Sequence, residues 1–264
     1  MMDAALNSFK IIDDYSRLKS PVHRINPVVK LLMTVFYIIA AASFGNYNLA
    51  GLIPMALYPA ALFVMSDLPF GFIMKKILIV QPFVLLIGIF DPIFDKNIIS
   101  VGGFIFSQGW IALLTIVIKS IFILASVLIF AATTGMDNIG MSLRTLKVPK
   151  IFTLQLLLTY RYISVLISEA GRIRLAYSLK APGRRGVDLK VWGSLAGMLL
   201  LRTLAKAERV YTAMRLRGFN GEYITGGNKK LRVRDILILT VCVVFFISAR
   251  FIDLSQGLGN LFVK

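Results

Sequence analysis

Residues 109–132 read GWIALLTIVIKSIFILASVLIFAA, an apolar run broken by a single charge at Lys119. At a helical rise of ~1.5 Å these residues reach ~36 Å, enough to cross a hydrocarbon core of ~30 Å. A helix is the form in which every backbone polar group of such a run is satisfied internally. The whole chain agrees. Of its 264 residues 57% are hydrophobic and 16% charged, whereas soluble domains carry about 25% charge. Disorder is excluded, because disordered chains are poor in apolar residues.

Working outward, four more runs read as membrane helices: 28–44, 49–65, 77–90 and 236–252. The first is broken only by Lys30, the third is short unless Lys75 and Lys76 snorkel at its start, and Arg250 lies near the end of the last. No span holds an acid, so Lys119 has no partner for a proton relay. We read it as structural, snorkelling or facing a water-filled seam.

The 30 Lys and Arg against 13 Asp and Glu leave a net charge of +17, unevenly placed. Residues 1–30 hold Lys10, Arg17, Lys19, Arg24 and Lys30, and 31–132 only four cations. Residues 133–234 hold nineteen cations against Asp137, Glu169, Asp188, Glu208 and Glu222. Cations in the connecting segments accumulate on the cytoplasmic side. The N-terminus and 133–235 are therefore expected inside and the extreme C-terminus outside. The expected divisions are a cytosolic arm (1–27), a four-helix membrane region (28–132), a basic cytoplasmic domain (133–235) and a last membrane helix with its tail (236–264). Asp3, Asp13 and Asp14 stand where a cleaved signal peptide would carry a basic and then an apolar region, which supports reading the start as a cytosolic arm.

The basic segment is patterned as helix. After Pro149, apolar residues recur at Leu156, Tyr160, Ile163, Ile167, Ala170 and Tyr177, spacings of three, four and seven that form one stripe. Pro182-Gly183 should end this helix after about 30 residues. A second runs from about Leu189 to Leu216 with a stripe through Trp192, Leu195, Leu199, Thr203, Ala207, Val210 and Met214. Gly193 and Gly197 give it a GxxxG spacing that suits a close helix crossing. The two helices end alike, as Ala176-Tyr-Ser-Leu-Lys180-Ala181 and Ala213-Met-Arg-Leu-Arg217-Gly218. In each a small residue and a cation stand four apart, on one face, in a last turn where the helix dipole favours the cation. A flat alanine beside a projecting cation suits an acidic groove on a partner.

These endings resemble the paired Ala-x-x-x-Arg-Gly motifs that close the coupling helices of the transmembrane T component of energy-coupling factor (ECF) transporters, a branch of the ABC importers. The second matches at Ala213, Arg217 and Gly218. It lies in Leu201-Arg-Thr-Leu-Ala-Lys-Ala-Glu-Arg-Val-Tyr-Thr-Ala-Met-Arg-Leu-Arg-Gly-Phe-Asn-Gly221, which is similar to the cobalt-type, CbiQ-like subgroup. Pro21-Val-His-Arg-Ile-Asn-Pro-Val-Val-Lys30, Thr133-Thr134 and Leu143-Arg-Thr-Leu-Lys-Val-Pro149 resemble the family as well. The first ending departs from it, with Lys180 for Arg and Ala181 for Gly. The resemblance implies an all-α integral membrane protein of about five transmembrane helices plus a cytoplasmic domain of long coupling helices, in the cell (inner) membrane. It implies two cytosolic ABC-type ATPases as partners, a substrate-binding membrane subunit for cobalt ion uptake, and ATP held by the ATPases rather than by this chain. A shared component for vitamin-binding subunits and a nickel-type importer are the alternatives. Ala176, Lys180, Ala181, Ala213, Arg217 and Gly218 are the implied partner-binding residues.

The residues themselves exclude much chemistry. One Cys (Cys242) and one His (His23) allow neither an internal disulfide nor a Cys/His zinc site. There is no G-x-x-x-x-G-K-[ST] loop to cradle ATP, no H-E-x-x-H pair, and no aspartate cluster for magnesium. No catalytic, cofactor-binding or metal-binding residue is therefore assigned. A basic anchor for anionic lipid or nucleic acid would account for the charge of 133–234. It does not account for the apolar stripes, and no nucleic-acid partner is expected.

Overall fold

The first apolar run folds as a helix whose start is written in Asn26-Pro27. The Asn26 side chain accepts the Val28 N–H at 3.0 Å, and Pro27 opens the helix where no N–H is needed. A single turn, α1 (Pro21–Arg24), precedes this helix, α2 (Pro27–Ser43). The structure is a computed structural model that describes residues 15–16, 18, 20–45, 49–94, 98–101, 104–181, 186–221 and 232–251. His23 serves α1: its Nδ1 lies 2.7 Å from Ser20 Oγ and its Nε2 3.0 Å from the Tyr15 carbonyl. An imidazole protonated at Nε2 satisfies both.

The second run is not one helix. It breaks into α3 (Leu49–Leu52), a 3₁₀ turn (Pro54–Ala56) and α4 (Leu57–Ser66). Pro54 lacks an N–H and its ring opposes the carbonyl four residues back, which disfavours a continuous helix, and here the helix breaks. The third run extends further back than hydropathy suggests: α5 (Phe70–Gly88) carries Lys75, Lys76 and an internal Pro82. Between it and the fourth run lie α6 (Phe90–Phe94) and an antiparallel hairpin of β1 (Ile98–Val101) and β2 (Phe104–Ser107), with Val101 opposite Phe104. This short hairpin is an insertion in an otherwise helical chain, and Gly102-Gly103 between two β-prone runs is its sequence signal. The fourth run is α7 (Gln108–Thr134). Then come α8 (Met136–Thr145), α9 (Lys150–Lys180), α10 (Leu189–Leu216) and α11 (Val233–Phe251). The protein is a helical membrane protein.

Within the described residues the chain divides into two compact units. Tyr15–Gly135 and α11 form one, and the segment from Met136 through α10 forms the other. In the first, Val29, Met33, Tyr37 and Ala41 make one stripe of α2, continued by Phe44 just past its end. It packs on Leu52, Met55 and Tyr58 and on Phe246 and Ala249 of α11. The rings of Tyr37, Tyr58 and Phe246 lie 4.6–5.4 Å apart, and Tyr37 Oη donates to the Met55 carbonyl at 3.1 Å. A second cluster joins Leu68, Ile73 and Ile77 to Ile129 and Ala132 of α7. Lipid is as apolar as these side chains, so close packing and polar ties hold membrane helices together more than burial does.

The polar ties are placed with economy. Lys30, at the start of α2, is buried and its Nζ donates to Thr133 O, in the last turn of α7, at 2.9 Å. Lys119 of α7 donates to Ala42 O and Phe44 O, at the end of α2, at 2.9 and 2.8 Å. Two antiparallel helices thus exchange lysines, each satisfying C-terminal carbonyls that its neighbour cannot bond internally, at the negative end of the dipole. Arg250 reinforces the end of α2: its Nε lies 3.3 Å from Ser43 Oγ, with the guanidinium 5.2 Å from the centre of the Phe44 ring.

In the second unit α8 crosses α9 closely. A Cβ on Gly140 would lie 2.7 Å from Leu157 Cδ2, so any larger residue there would force the Leu157 side chain to shift. Among the described residues, three helical segments are long and apolar enough to cross a membrane: Phe70–Pro92, Gly109–Thr134 and Lys150–Lys180. The first and second contain sequence-assigned spans. The third is α9, which the charge pattern assigned to the cytoplasmic side. Conversely, Pro27–Ser43 and Pro54–Ser66 are apolar but shorter, and α11 carries Arg234, Asp235 and Arg250.

Candidate partner-docking helix ends

The boundaries of α9 and α10 follow from their ends. Leu189–Leu216 is the range the periodicity gave. In α9 the expected stripe of Leu156, Tyr160, Ile163, Ile167, Ala170 and Tyr177 is half-buried, while Thr153, Leu157 and Ile173, close beside it, are the fully buried residues. In α10 no residue is fully buried. Val191, Leu195, Leu199, Thr203, Lys206, Val210 and Met214 are half-buried, and Trp192 and Ala207 of the expected stripe are exposed. A Cβ on Gly193 or Gly197 would meet nothing within 4 Å, so the GxxxG spacing makes no crossing among the described residues.

The two helices are tied near their middles. Glu169 accepts from Arg202 Nη1 at 2.8 Å and lies 3.6 Å from Arg172 Nη1. From that crossing the end of α9 is eleven residues away and Arg217 fifteen, arms of ~17 Å and ~22 Å at the helical rise. The two endings therefore sit at the tips of separate arms.

At the α10 tip the chain stops in a complete Schellman motif. Phe219 N–H donates to Met214 O and Gly218 N–H to Arg215 O, both at 3.0 Å, with Gly218 at φ +79°. Glycine is favoured there because a Cβ in the left-handed region costs about 1–2 kcal/mol. Arg217, the residue before it, has φ −91° and ψ 12°, and its side chain is exposed, as is Ala213 one turn back.

The α9 tip is built differently. Ala181 N–H continues the helical pattern to Tyr177 O at 3.0 Å, and Ala181 then turns to φ −125° and ψ 66°. A residue followed by proline is pushed out of the helical region, so Pro182, not a left-handed glycine, ends this helix. That is the physical reason Ala181 can stand in the glycine position. Ala176 and Lys180 are exposed and Ala181 half-buried. Residues 182–185, with Pro182-Gly183, lie outside the described residues.

Sequence reasoning missed a second Schellman motif in this unit. At the end of α8, Val148 N–H donates to Leu143 O and Lys147 N–H to Arg144 O, at 3.1 Å each, with Lys147 itself at φ +63°. A lysine at a left-handed position carries no signature, and only Pro149 beyond it hints at the stop. Among the described residues no group of three His, Cys, Asp or Glu could hold a metal ion.

Comparisons with known proteins place this architecture. Residues 18–226 match the CbiQ family, described as cobalt transport protein. The chain is 25% identical over 261 residues to the energy-coupling factor transporter transmembrane protein EcfT of Ruminiclostridium cellulolyticum, covering 89% of this chain and 93% of that one. It is 27% identical over 157 residues to the nickel permease LarQ of Lactiplantibacillus plantarum, covering 57% of this chain and 58% of that relative. The helical membrane unit, the two long helices with paired endings and a family match across most of the sequence coincide, and the chain belongs to the CbiQ cobalt transport protein family, the T components of energy-coupling factor transporters.

Proposed function

We propose that this chain is the membrane scaffold of an ECF-type importer for cobalt ion, receiving two cytosolic ATPases and a substrate-binding membrane subunit. The observation that carries this reading is the pair of exposed tips on separate arms, each a small residue one turn before a cation. Two tips suit two ATPase subunits, whose closing motion α9 and α10 would pass to the substrate-binding subunit. ATP belongs to the ATPases, and this chain performs no catalysis.

In this reading α9 and α10 are cytoplasmic although α9 is apolar enough to span. Its second half carries Glu169, Arg172, Arg174 and Lys180, and Glu169 pairs with α10, which holds five cations of its own. Burying those charges in lipid would cost several kcal/mol each by insertion scales, ~2.5–3.5 at the bilayer centre. The second reading is nickel, favoured by the likeness to a nickel permease.

The test is reconstitution. The chain is co-expressed with its two ATPases and its substrate-binding subunit, and uptake of labelled cobalt is measured with nickel as competitor. ATP-dependent cobalt uptake that requires this chain supports the proposal. A ten-fold preference for nickel replaces cobalt with the second reading, and ATP hydrolysis by the purified chain alone contradicts the scaffold role.

A further inference from the structure

We propose that the membrane unit holds an anionic phospholipid by its phosphate at the junction of α1 and α11. A cavity of about 410 Å³ opens there, lined by Arg24 of α1 and by Arg232, Arg234 and Asp235 at the start of α11, with Ile25 and Ile238 on its apolar wall. The three arginines are exposed, and none of their guanidinium groups makes a hydrogen bond or ion pair among the described residues. The one acid among the lining residues, Asp235, is 7% exposed and its Oδ2 accepts the Arg232 backbone N–H at 3.3 Å, so it is engaged in capping the helix start.

Three like charges converging on one cavity repel, and the single carboxylate among its lining residues leaves an excess of positive charge there. An anion that accepts several N–H groups at once does, and guanidinium matches phosphate oxygens in pairs. The apolar wall decides between a soluble phosphate and a lipid one. Ile238 lies one turn into α11 from Arg234, about 6 Å further along the helix, and Ile25 leads directly into α2. Both α2 and α11 start at this cavity. Charge at the level where membrane helices begin, with aliphatic side chains beneath it, fits a headgroup with acyl chains below. This inference concerns residues apart from the helix tips and is independent of the transported ion.

The experiment uses the purified full chain in detergent, with retention of added dioleoylphosphatidylglycerol or dioleoylphosphatidylcholine read by native mass spectrometry. The expected result is at least a ten-fold preference for phosphatidylglycerol. Each single Arg→Gln change at 24, 232 or 234 should lower it about five-fold, the equivalent of ~1 kcal/mol per cation at an anionic lipid surface. The triple change should abolish it. Replacing Lys147, Arg184 and Arg185 by Gln removes the same charge elsewhere and should leave the preference intact. Should the triple variant aggregate, Ile238→Trp decides, because filling the apolar wall should reduce phosphatidylglycerol retention while the arginines remain. Equal retention of the two lipids, an equal loss in the Lys147/Arg184/Arg185 control, or unchanged retention in Ile238→Trp overturns the proposal. So does displacement of the lipid by an equal concentration of inorganic phosphate, which would make the occupant a soluble anion.

Discussion

Lys119 stands in the middle of the most apolar helix, and its Nζ is spent on two backbone carbonyls of α2. Removing the ammonium leaves Ala42 O and Phe44 O without that donor, and hydrogen bonds to charged groups contribute about 1.5–3 kcal/mol in proteins generally. Lys119→Met, similar in length and apolar, should therefore lower the melting temperature in detergent by at least 2–4 °C, the shift expected for ~1 kcal/mol at this size. An unchanged melting temperature would show the contact to be idle. The helix tips invite a second comparison. Arg217 presents a planar fork of five donors, with Gly218 beside it open to a partner's backbone, whereas Lys180 offers a point charge on a flexible stem. Losing one side of a desolvated charge pair costs about 2–5 kcal/mol. Arg217→Ala should weaken ATPase capture ten-fold or more and Lys180→Ala less, while Lys180→Arg should be tolerated or tighten the complex. Pull-down at equal membrane expression checks the order, and intact assembly in Arg217→Ala with none in Lys180→Ala reverses the assigned roles.

Among the elements, glycines with the same sequence look play opposite parts. Gly140 lets α8 lie against Leu157 of α9, whereas Gly193 and Gly197 face open space. Gly140→Val should cost about 1–3 kcal/mol by overpacking. Gly193→Ala should stabilise the isolated chain by up to ~1 kcal/mol through helix propensity. Thermal unfolding of both variants measures the contrast, and a loss in Gly193→Ala would place a packing partner on that face. The broken second span belongs to this scale as well. Hydropathy over 49–65 registers apolar character but not the missing N–H of Pro54, so the run reads as continuous when its hydrogen-bond ladder is not.

For the whole molecule the charge pattern makes the sharpest statement. If cations follow the cytoplasmic side, a cysteine placed at Lys147 or Arg184, with Cys242 replaced, should resist a membrane-impermeant maleimide in intact cells and react once the membrane is opened. Labelling of either from outside would invert the orientation and remove the ATPases' access to the α9 and α10 tips.

The sequence by itself determined the class of the protein, the places of its long helices and the identity of the residues at their tips. Those properties are local: an apolar run of membrane length, a 3.6-residue stripe, and a proline or glycine at a stop are each decided within a few turns of chain. It also singled out Lys119 as structural, without its partners. Only the tertiary structure supplied those, because Lys30 and Thr133 are 103 residues apart and Lys119 and Ala42 are 77 apart, and no periodicity links such positions. The same holds for the clearance at Gly140, the arms defined by Glu169 and Arg202, and the meeting of Arg24 with Arg232 and Arg234 at one cavity. Which carbonyl a cation reaches, and which glycine has a neighbour pressed against it, depend on what another helix brings within a few ångströms.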